Sequence, residues 1–330
     1  MSHLLDCAVV VLNWNGWQDT LACVASLQPG ERPLARIVIC DNGSTDDSLK
    51  QLNAGLALQF GSDFQSVRRV DLESKGLRPG DRSVWLIANE NNLGFAAGNN
   101  VGIRFALQEQ ACGHVWILNN DTEVAPDALA EALATMRQRP DVGLCGSTLV
   151  YHRDRQTVQA FGGSSYSRAT GRTRHMGYLQ ALSRVPQDAR AVEAEMACVV
   201  GAAMLASRAF LQTVGLMSED YFLYFEEMDW AARARGRFAL GYAPRSVVFH
   251  KEGASIGTSA QGGSPLSVFY LFRNRLRFAW RHHRAWVPLV GVSALLDVGR
   301  LAVRRRWPQA AAALRGLLQR RPPVPGSRAS

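Results

Sequence analysis

A chain of 330 residues is long enough for one large α/β domain with extensions, or for two smaller domains. With 47% hydrophobic and 20% charged residues it carries the material of a sizeable core, which excludes global disorder. The formal charge of +9 is uneven: Arg273, Arg275, Arg277, Arg281, Arg284, Arg300, Arg304, Arg305, Arg306, Arg315, Arg320 and Arg321 crowd the C-terminal segment, so the tail rather than the whole chain is basic.

Residues 7–12 form a continuous aliphatic and β-branched run, the pattern of a strand buried on both faces. Helical spacing of Trp17, Leu21, Val24 and Ala25 follows, and Pro29-Gly30 stops it. A second buried strand over 34–40 ends at Asp41, and Ser44 or Thr45 is placed to cap a helix over 46–58. Residues 83–88 read as a third strand, 96–110 as a helix and 114–118 as a fourth strand, with Pro126 as the N1 residue of the next helix. This rhythm predicts a parallel sheet with helices on both faces and ligands at the carboxyl ends of its strands. Asn13 to Asn15, Asp41 to Ser44, Asn89 to Gly94 and Asn119 to Asp121 all stand at such ends.

Two segments break the rhythm. Residues 60–82 mix charges with Pro79-Gly80 and read as an insertion. Residues 151–190 are rich in Gly, Ser and Arg, and read either as an excursion over the active face carrying acceptor contacts or as a plain surface loop. Beyond Arg321 the proline-rich residues 322–330 are expected to be disordered.

Four groups of residues carry chemistry. Asp41, with Asn42-Gly43 beside it, can accept hydrogen bonds from a base or ribose, although Asp-Asn-Gly-Ser also suits a plain turn. Asn119-Asn120-Asp121-Thr122 offers a strand-end carboxylate for Mg²⁺ or Mn²⁺ bridging a diphosphate, or simply a helix cap. Glu226 and Glu227 follow the aromatic run Tyr221 to Phe225, where apolar rings disfavour the charged carboxylate and suit it to general-base work. On a helix the two point about 100° apart, so one of them faces substrate. Asp229, four residues before Arg233, reads as a surface ion pair in an acidic first turn. His250 ends an apolar run and is either structural or an imidazole ligand for Mn²⁺. The stretch Asn91 to Asn100 has no GxGxxG spacing, but its amides, small residues and helix start suit a ribose or phosphate edge.

Together, Val9 to Gly16, Asp41 to Asp46, Asn91 to Asn100, Leu118 to Thr122, Phe222 to Trp230, Pro244 to His250 and Arg273-Asn274 resemble the inverting family-2 glycosyltransferases of GT-A fold, within them the rhamnosyltransferase-like branch. The resemblance covers residues 7–281. It implies a Rossmann-like, mostly parallel sheet flanked by helices over 1–260, followed by a basic, apolar helical extension over 261–321. It also implies a nucleotide diphosphate sugar donor held by Leu12, Asn13, Trp14, Asp41, Asn42, Gly43, Asn92, Gly94, Gly98, Asn99 and Asn120. Trp14 stands for the family's tyrosine beside the base. Asn119-Asn120-Asp121 resembles the DXD element with Asn119 in place of its first aspartate, which leaves Asp121 as the main metal carboxylate and His250 as a second ligand. Glu227 falls where the family's aspartate base is expected, with Glu226 the second candidate. The implied reaction is a metal-assisted single displacement with Mg²⁺ or Mn²⁺. It delivers a sugar, L-rhamnose from its deoxythymidine diphosphate first and a uridine diphosphate sugar next, to a saccharide or lipid-linked saccharide of the kind used in cell-wall polysaccharides. An inactive nucleotide-sugar-binding protein is the rival from another class.

Six cysteines (Cys7, Cys23, Cys40, Cys112, Cys145, Cys198) show no CxxC spacing and sit mostly in apolar runs, so buried thiols are expected rather than disulfides or a zinc site. The segment before residue 7 lacks a signal-peptide pattern, and the apolar run 285–296 is too short to span a bilayer, so the expectation is cytoplasmic. Trp280, Arg281, His282, His283, Arg284 and Trp286 before that run suit adsorption to an anionic membrane surface, or a core helix with a solvated basic tail. No nucleic-acid partner is expected, because the arginines alternate with aliphatic rather than stacking aromatic residues.

Overall fold

The computed structural model describes residues 6–27, 36–80, 82–251 and 263–319. The expected stop at Pro29-Gly30, the first residues of the strand over 34–40, and the tail 322–330 lie outside the described residues. In chain order the N-terminal half contains β1 (Cys7–Asn13), α1 (Trp17–Ser26), β2 (Arg36–Asp41), α2 (Ser48–Phe60), β3 (Phe64–Arg68) and α3 (Arg69–Lys75). β4 (Val84–Ala88), α4 (Gly94–Leu107), β5 (His114–Asn119), β6 (Thr122–Val124), α5 (Ala128–Gln138) and β7 (Val142–Tyr151) follow. Then come β8 (Val158–Phe161), β9 (Gly163–Tyr166), β10 (Thr173–His175), α6 (Arg190–Glu193), β11 (Cys198–Val199), β12 (Ala203–Ser207) and α7 (Arg208–Val214). The chain closes with α8 (Glu226–Ala234), β13 (Ala239–His250), α9 (Pro265–His282), α10 (Val287–Val303) and α11 (Trp307–Leu317).

The main sheet runs in the order β3-β4-β2-β1-β5-β12-β7-β13-β6, with β8 added to β7. β3, β4, β2, β1 and β5 are mutually parallel, whereas β12 enters antiparallel between β5 and β7. This is a mostly parallel sheet flanked by helices, as expected. The alternation in β1 shows why it is central. Ala8 and Val10 join the core that also holds Val38, Ile103, Phe105 and Ile117, while Cys7, Val9 and Val11 join the opposite core with Trp116, Leu118 and Leu133. Burying each such Val or Ile contributes about 1.5–3 kcal/mol, so the strands form a firm platform whose ends can hold loops in place. All six cysteines are free and buried within these layers.

Several local expectations are corrected. Residues 60–82 are not an insertion apart from the sheet: Phe64 to Arg68 pair in parallel with Val84 to Ala88 and make its edge. α2 begins at Ser48 after Asp47, because Ser44 and Thr45 are already engaged with the β1 loop. α5 begins after Asp127, since Ala125 to Ala128 first close a turn, so Pro126 lies ahead of the helix. Within 151–190 the chain forms β8 in the main sheet, and β9 and β10, β9 pairing with both β10 and β11 in a small second sheet of order β10-β9-β11. The apolar run does not end near 296. The helix continues to Val303, and Arg284–Val303 is 20 residues long, enough by length and composition to cross a membrane.

Candidate active site

The carboxyl ends of β1, β2, β4 and β5 lie side by side, with Asn13 opposite Asp41 and Leu12 opposite Asn119 in register. Their polar residues knit the loops together. Asn13 Nδ2 donates to Asp41 Oδ1 at 2.7 Å, and Ser44 donates to the same carboxylate through Oγ at 2.6 Å and its backbone N–H at 3.1 Å. Asn15, in the left-handed region at φ 53°, accepts from the Thr45 N–H at 2.8 Å and so bridges the first two loops. The Asp41 carboxylate, 2% exposed, is therefore largely spent on loop structure, with lone pairs remaining on Oδ2. Asn42 is a second hub: its amide donates to Asn92 Oδ1 and the Gly94 carbonyl and accepts from Leu93 N–H and Asn89 Nδ2.

Gly43 and Gly94 have φ of 67° and 83°, and a Cβ on them would fall 2.5 Å from the Asn91 and Phe222 backbones respectively. Gly98 packs directly under Leu12 and Asn42, where a Cβ would meet Leu12 Cδ1 at 2.6 Å. Asn99 turns its Nδ2 back to the Phe95 carbonyl at 2.9 Å, leaving its buried Oδ1 without a partner among the described residues. Most of the peculiar stretch 91–100 thus serves close helix-to-strand packing. Leu12 and Trp14 are half-buried at the rim.

At β5, Asn120 turns inward, donating to the Gly16 carbonyl at 3.2 Å and Thr20 Oγ1 at 3.1 Å, so it fastens the N-terminus of α1. Asn119 is half-buried beside it. Asp121 meets His250 from the other end of the chain: β13 pairs antiparallel with β6, His250 opposite Thr122, and Lys251 N–H donates to the Asp121 carbonyl. His250 Nε2 stands 3.1 Å from Asp121 Oδ1, and its Nδ1 donates to Gln159 Oε1 at 2.8 Å. Burial pushes the Asp121 carboxyl up, but the hydrogen bond and charge of His250 bring it below its ordinary value. Adjacent ligands of an octahedral Mg²⁺, each about 2.1 Å from the ion, stand about 3.0 Å apart, so this pair has the spacing of neighbouring metal ligands. Gln159 holds Nδ1–H, which directs Nε2 to the ligand position. The donor set fits a divalent ion that takes its other ligands from diphosphate and water, and among the described residues no group of three His, Cys, Asp or Glu side chains converges as a complete protein cage.

The acidic pair is presented by a strained turn. Tyr224 and Phe225 both lie in the left-handed region, φ 67° and 73°, which costs bulky residues about 1–3 kcal/mol each. Asn274 of α9, fully buried, donates to the Leu223 and Tyr224 carbonyls at 2.8 and 3.1 Å and braces that turn. α8 starts immediately after it, with Glu226 and Glu227 as its first residues. Glu226 is 4% exposed with Oε2 unpartnered among the described residues, and burial, then the charge of Glu227, raises its carboxyl well above the ordinary range. Glu227 stays partly open, and burial lifts it to about 7. Of the two, Glu227 has the accessibility and the proton affinity of a base working near neutrality.

Asp229 is not a surface ion pair. It is fully buried and accepts from Arg233 Nε and His282 Nε2, each at 2.8 Å, so it locks α8 to α9. In the small second sheet Cys198 of β11 pairs with Ser164, whose hydroxyl bonds His175 Nδ1 at 2.8 Å. Sequence reasoning missed Gln159 and the bracing role of Asn274. A buried amide on a strand or helix has no local signal, and only the partner's position makes it functional.

A family model described as glycosyl transferase family 2 matches residues 8–189. A curated hexosyltransferase of low-salt glycan biosynthesis, Agl10 of Haloferax volcanii, is 28% identical over 152 residues, 46% of each chain, so the match spans about half of that relative. Among solved structures, GalNAc-T7 with UDP, GalNAc and Mn²⁺ aligns at TM-score 0.56 and 17% identity, over 83% of this chain and 48% of its own. The mannosyltransferase PcManGT of Pyrobaculum calidifontis, with GDP-Man and Mn²⁺, aligns at TM-score 0.53 and 15% identity, over 96% and 88%.

Proposed function

Because the chain belongs to glycosyl transferase family 2, we propose that it transfers a sugar from a nucleotide diphosphate to a hydroxyl of a glycan or lipid-linked glycan. The observation that carries this reading is the meeting of Asp121 and His250, 129 residues apart in sequence, at the strand ends beside the nucleotide-side loops. Asp121 and His250, with Asn119 beside them, would hold Mg²⁺ or Mn²⁺. Such an ion, when bound, neutralises charge developing on the leaving diphosphate. The loops of Asn13, Asp41, Asn42 and Gly43 are shaped as a rigid rim for base and ribose, with Trp14 at its edge.

Glu227 is the base. Its carboxylate takes the acceptor hydroxyl proton as that oxygen bonds the anomeric carbon, the bond from that carbon to the diphosphate oxygen breaks with its electron pair, and the anomeric configuration inverts. Burial favours the neutral form of Glu226, which limits the negative charge beside Glu227. L-Rhamnose from deoxythymidine diphosphate is the proposed donor, supported by the motif resemblance to the rhamnosyltransferase-like branch. A uridine diphosphate sugar is the alternative, supported by the UDP complex of a fold neighbour. Six buried free thiols support a cytoplasmic setting.

The test is a panel of nucleotide sugars assayed for release of nucleoside diphosphate with Mn²⁺, with Mg²⁺ and with chelator. Turnover of one donor that collapses on chelation is expected. Turnover indifferent to chelator would remove the metal role of Asp121 and His250, and binding of a donor without transfer to any saccharide hydroxyl would favour the inactive binding protein.

A further inference from the structure

α9, α10 and α11 pack as a three-helix unit around Val268, Phe272, Ala294 and Ala313. α10 is unusual in its outer face. Leu289, Val292, Leu295, Leu296 and Val303 recur at spacings of three and four, share one side of the helix, and are 53–85% exposed. Only 11% of the apolar stretch of Arg284–Val303 is buried. The acid of this helix, Asp297, points the other way, into a cluster where Arg172, Arg275 and Arg300 neutralise it. What remains outward is apolar except for Arg300 between Leu296 and Val303, its side chain 61% exposed, and its ends are basic and aromatic: Trp280, Arg284 and Trp286 at one end, and Arg304, Arg305 and Trp307 at the other.

We propose that this face of α10 docks on an anionic lipid surface, lying in its plane. The apolar stripe supplies hydrophobic contact, the tryptophans suit the headgroup level, and the arginines at both ends complement anionic headgroups. Length alone would allow 20 residues, about 30 Å of helix, to cross a bilayer. The inner face decides against crossing. Arg275, 5% exposed, donates to Asp297 and Ser293 of α10 and to the Thr170 carbonyl, and Val290 and Ala294 are fully buried, so insertion would tear a charged cluster and a packed seam from the enzyme. A helix fastened on one side and greasy on the other adsorbs rather than spans.

The experiment is co-sedimentation of the full chain with vesicles of phosphatidylcholine containing phosphatidylglycerol, and with pure phosphatidylcholine, at low and high salt. It needs neither donor nor acceptor, so its outcome is independent of the transfer reading. Binding to the anionic vesicles at least tenfold above the neutral ones is expected, weakened by salt. The double variant L295D/L296D is expected to lose it tenfold or more, and R304S/R305S to lose mainly its salt-sensitive part, both with unchanged thermal unfolding. Equal binding of wild type and L295D/L296D would overturn the proposal, as would failure of the wild type to sediment. If L295D/L296D instead abolished a concentration-dependent dimer seen without lipid, the occupant would be a second copy and the proposal would be wrong.

Discussion

Glu227 and Glu226 differ by one position and by everything around them. Glu226 is shut in, one oxygen without a partner among the described residues, while Glu227 is partly open and lifted to about 7 by burial. As a general base Glu227 must be deprotonated, so kcat/KM is expected to rise with pH through about 7 and level off above it. E227Q is expected to lower kcat about 10²- to 10⁴-fold and to abolish that limb, while donor affinity, read by nucleotide titration, stays within a few-fold. E227Q retaining wild-type turnover would pass the role to Glu226. The same raised proton affinity has a stability sign: the folded state holds the proton more tightly than the unfolded chain, so Glu227's contribution is full below the ordinary glutamate range and is lost as pH rises through about 7.

The turn before α8 shows how one element is held by another. Two consecutive left-handed aromatic residues do not persist by themselves, and the Asn274 amide from α9 supplies the donors that fix the Leu223 and Tyr224 carbonyls of that turn. N274A removes both donors and leaves buried acceptors unpaired, at a cost of about 1–3 kcal/mol in stability. Because the proposed base rides on that turn, N274A is expected to reduce kcat about 10- to 100-fold with donor KM nearly unchanged. A parallel loss of binding and turnover would mark Asn274 as a general stability residue instead. Between β8 and β13, Gln159 plays the corresponding part for His250. Q159L is expected to weaken activation by Mn²⁺ about 10- to 100-fold, measured as the metal concentration for half-maximal rate, while saturating metal restores the rate.

Over the whole molecule the candidate site is assembled at the carboxyl ends of strands drawn from both halves of the chain. The strand order places β5 beside β1, and the antiparallel β6–β13 pair returns the chain so that His250 lands on Asp121. D121N and H250A are therefore expected to share one phenotype, a higher metal requirement. Their double variant should cost less than the sum of the two, since each single change already breaks the pair. Additive losses in a double-mutant cycle would separate the two residues into different sites.

Much of this was readable from residue order. β1, β2, β4 and β5 are continuous buried runs whose ends announce themselves in Asn and Asp, because strand burial and turn chemistry are local properties. The acidic pair after five large apolar residues, and the thiols buried in apolar runs, were legible for the same reason. Non-local facts were not. Asp229 read as a surface ion pair because Arg233 is its only sequence neighbour of opposite charge, and only α9 brings His282 to it. Residues 60–82 read as an insertion because β3 earns its place through β4, not through its own pattern. The apolar run 285–296 read as too short to span because Asp297 follows it, and only the fold shows Arg275 taking that charge inward. Local patterning determined which strands form and where polar ends gather. Pairing, bracing and the direction each charge faces depend on partners tens to hundreds of residues away, so they were settled only when the chain folded.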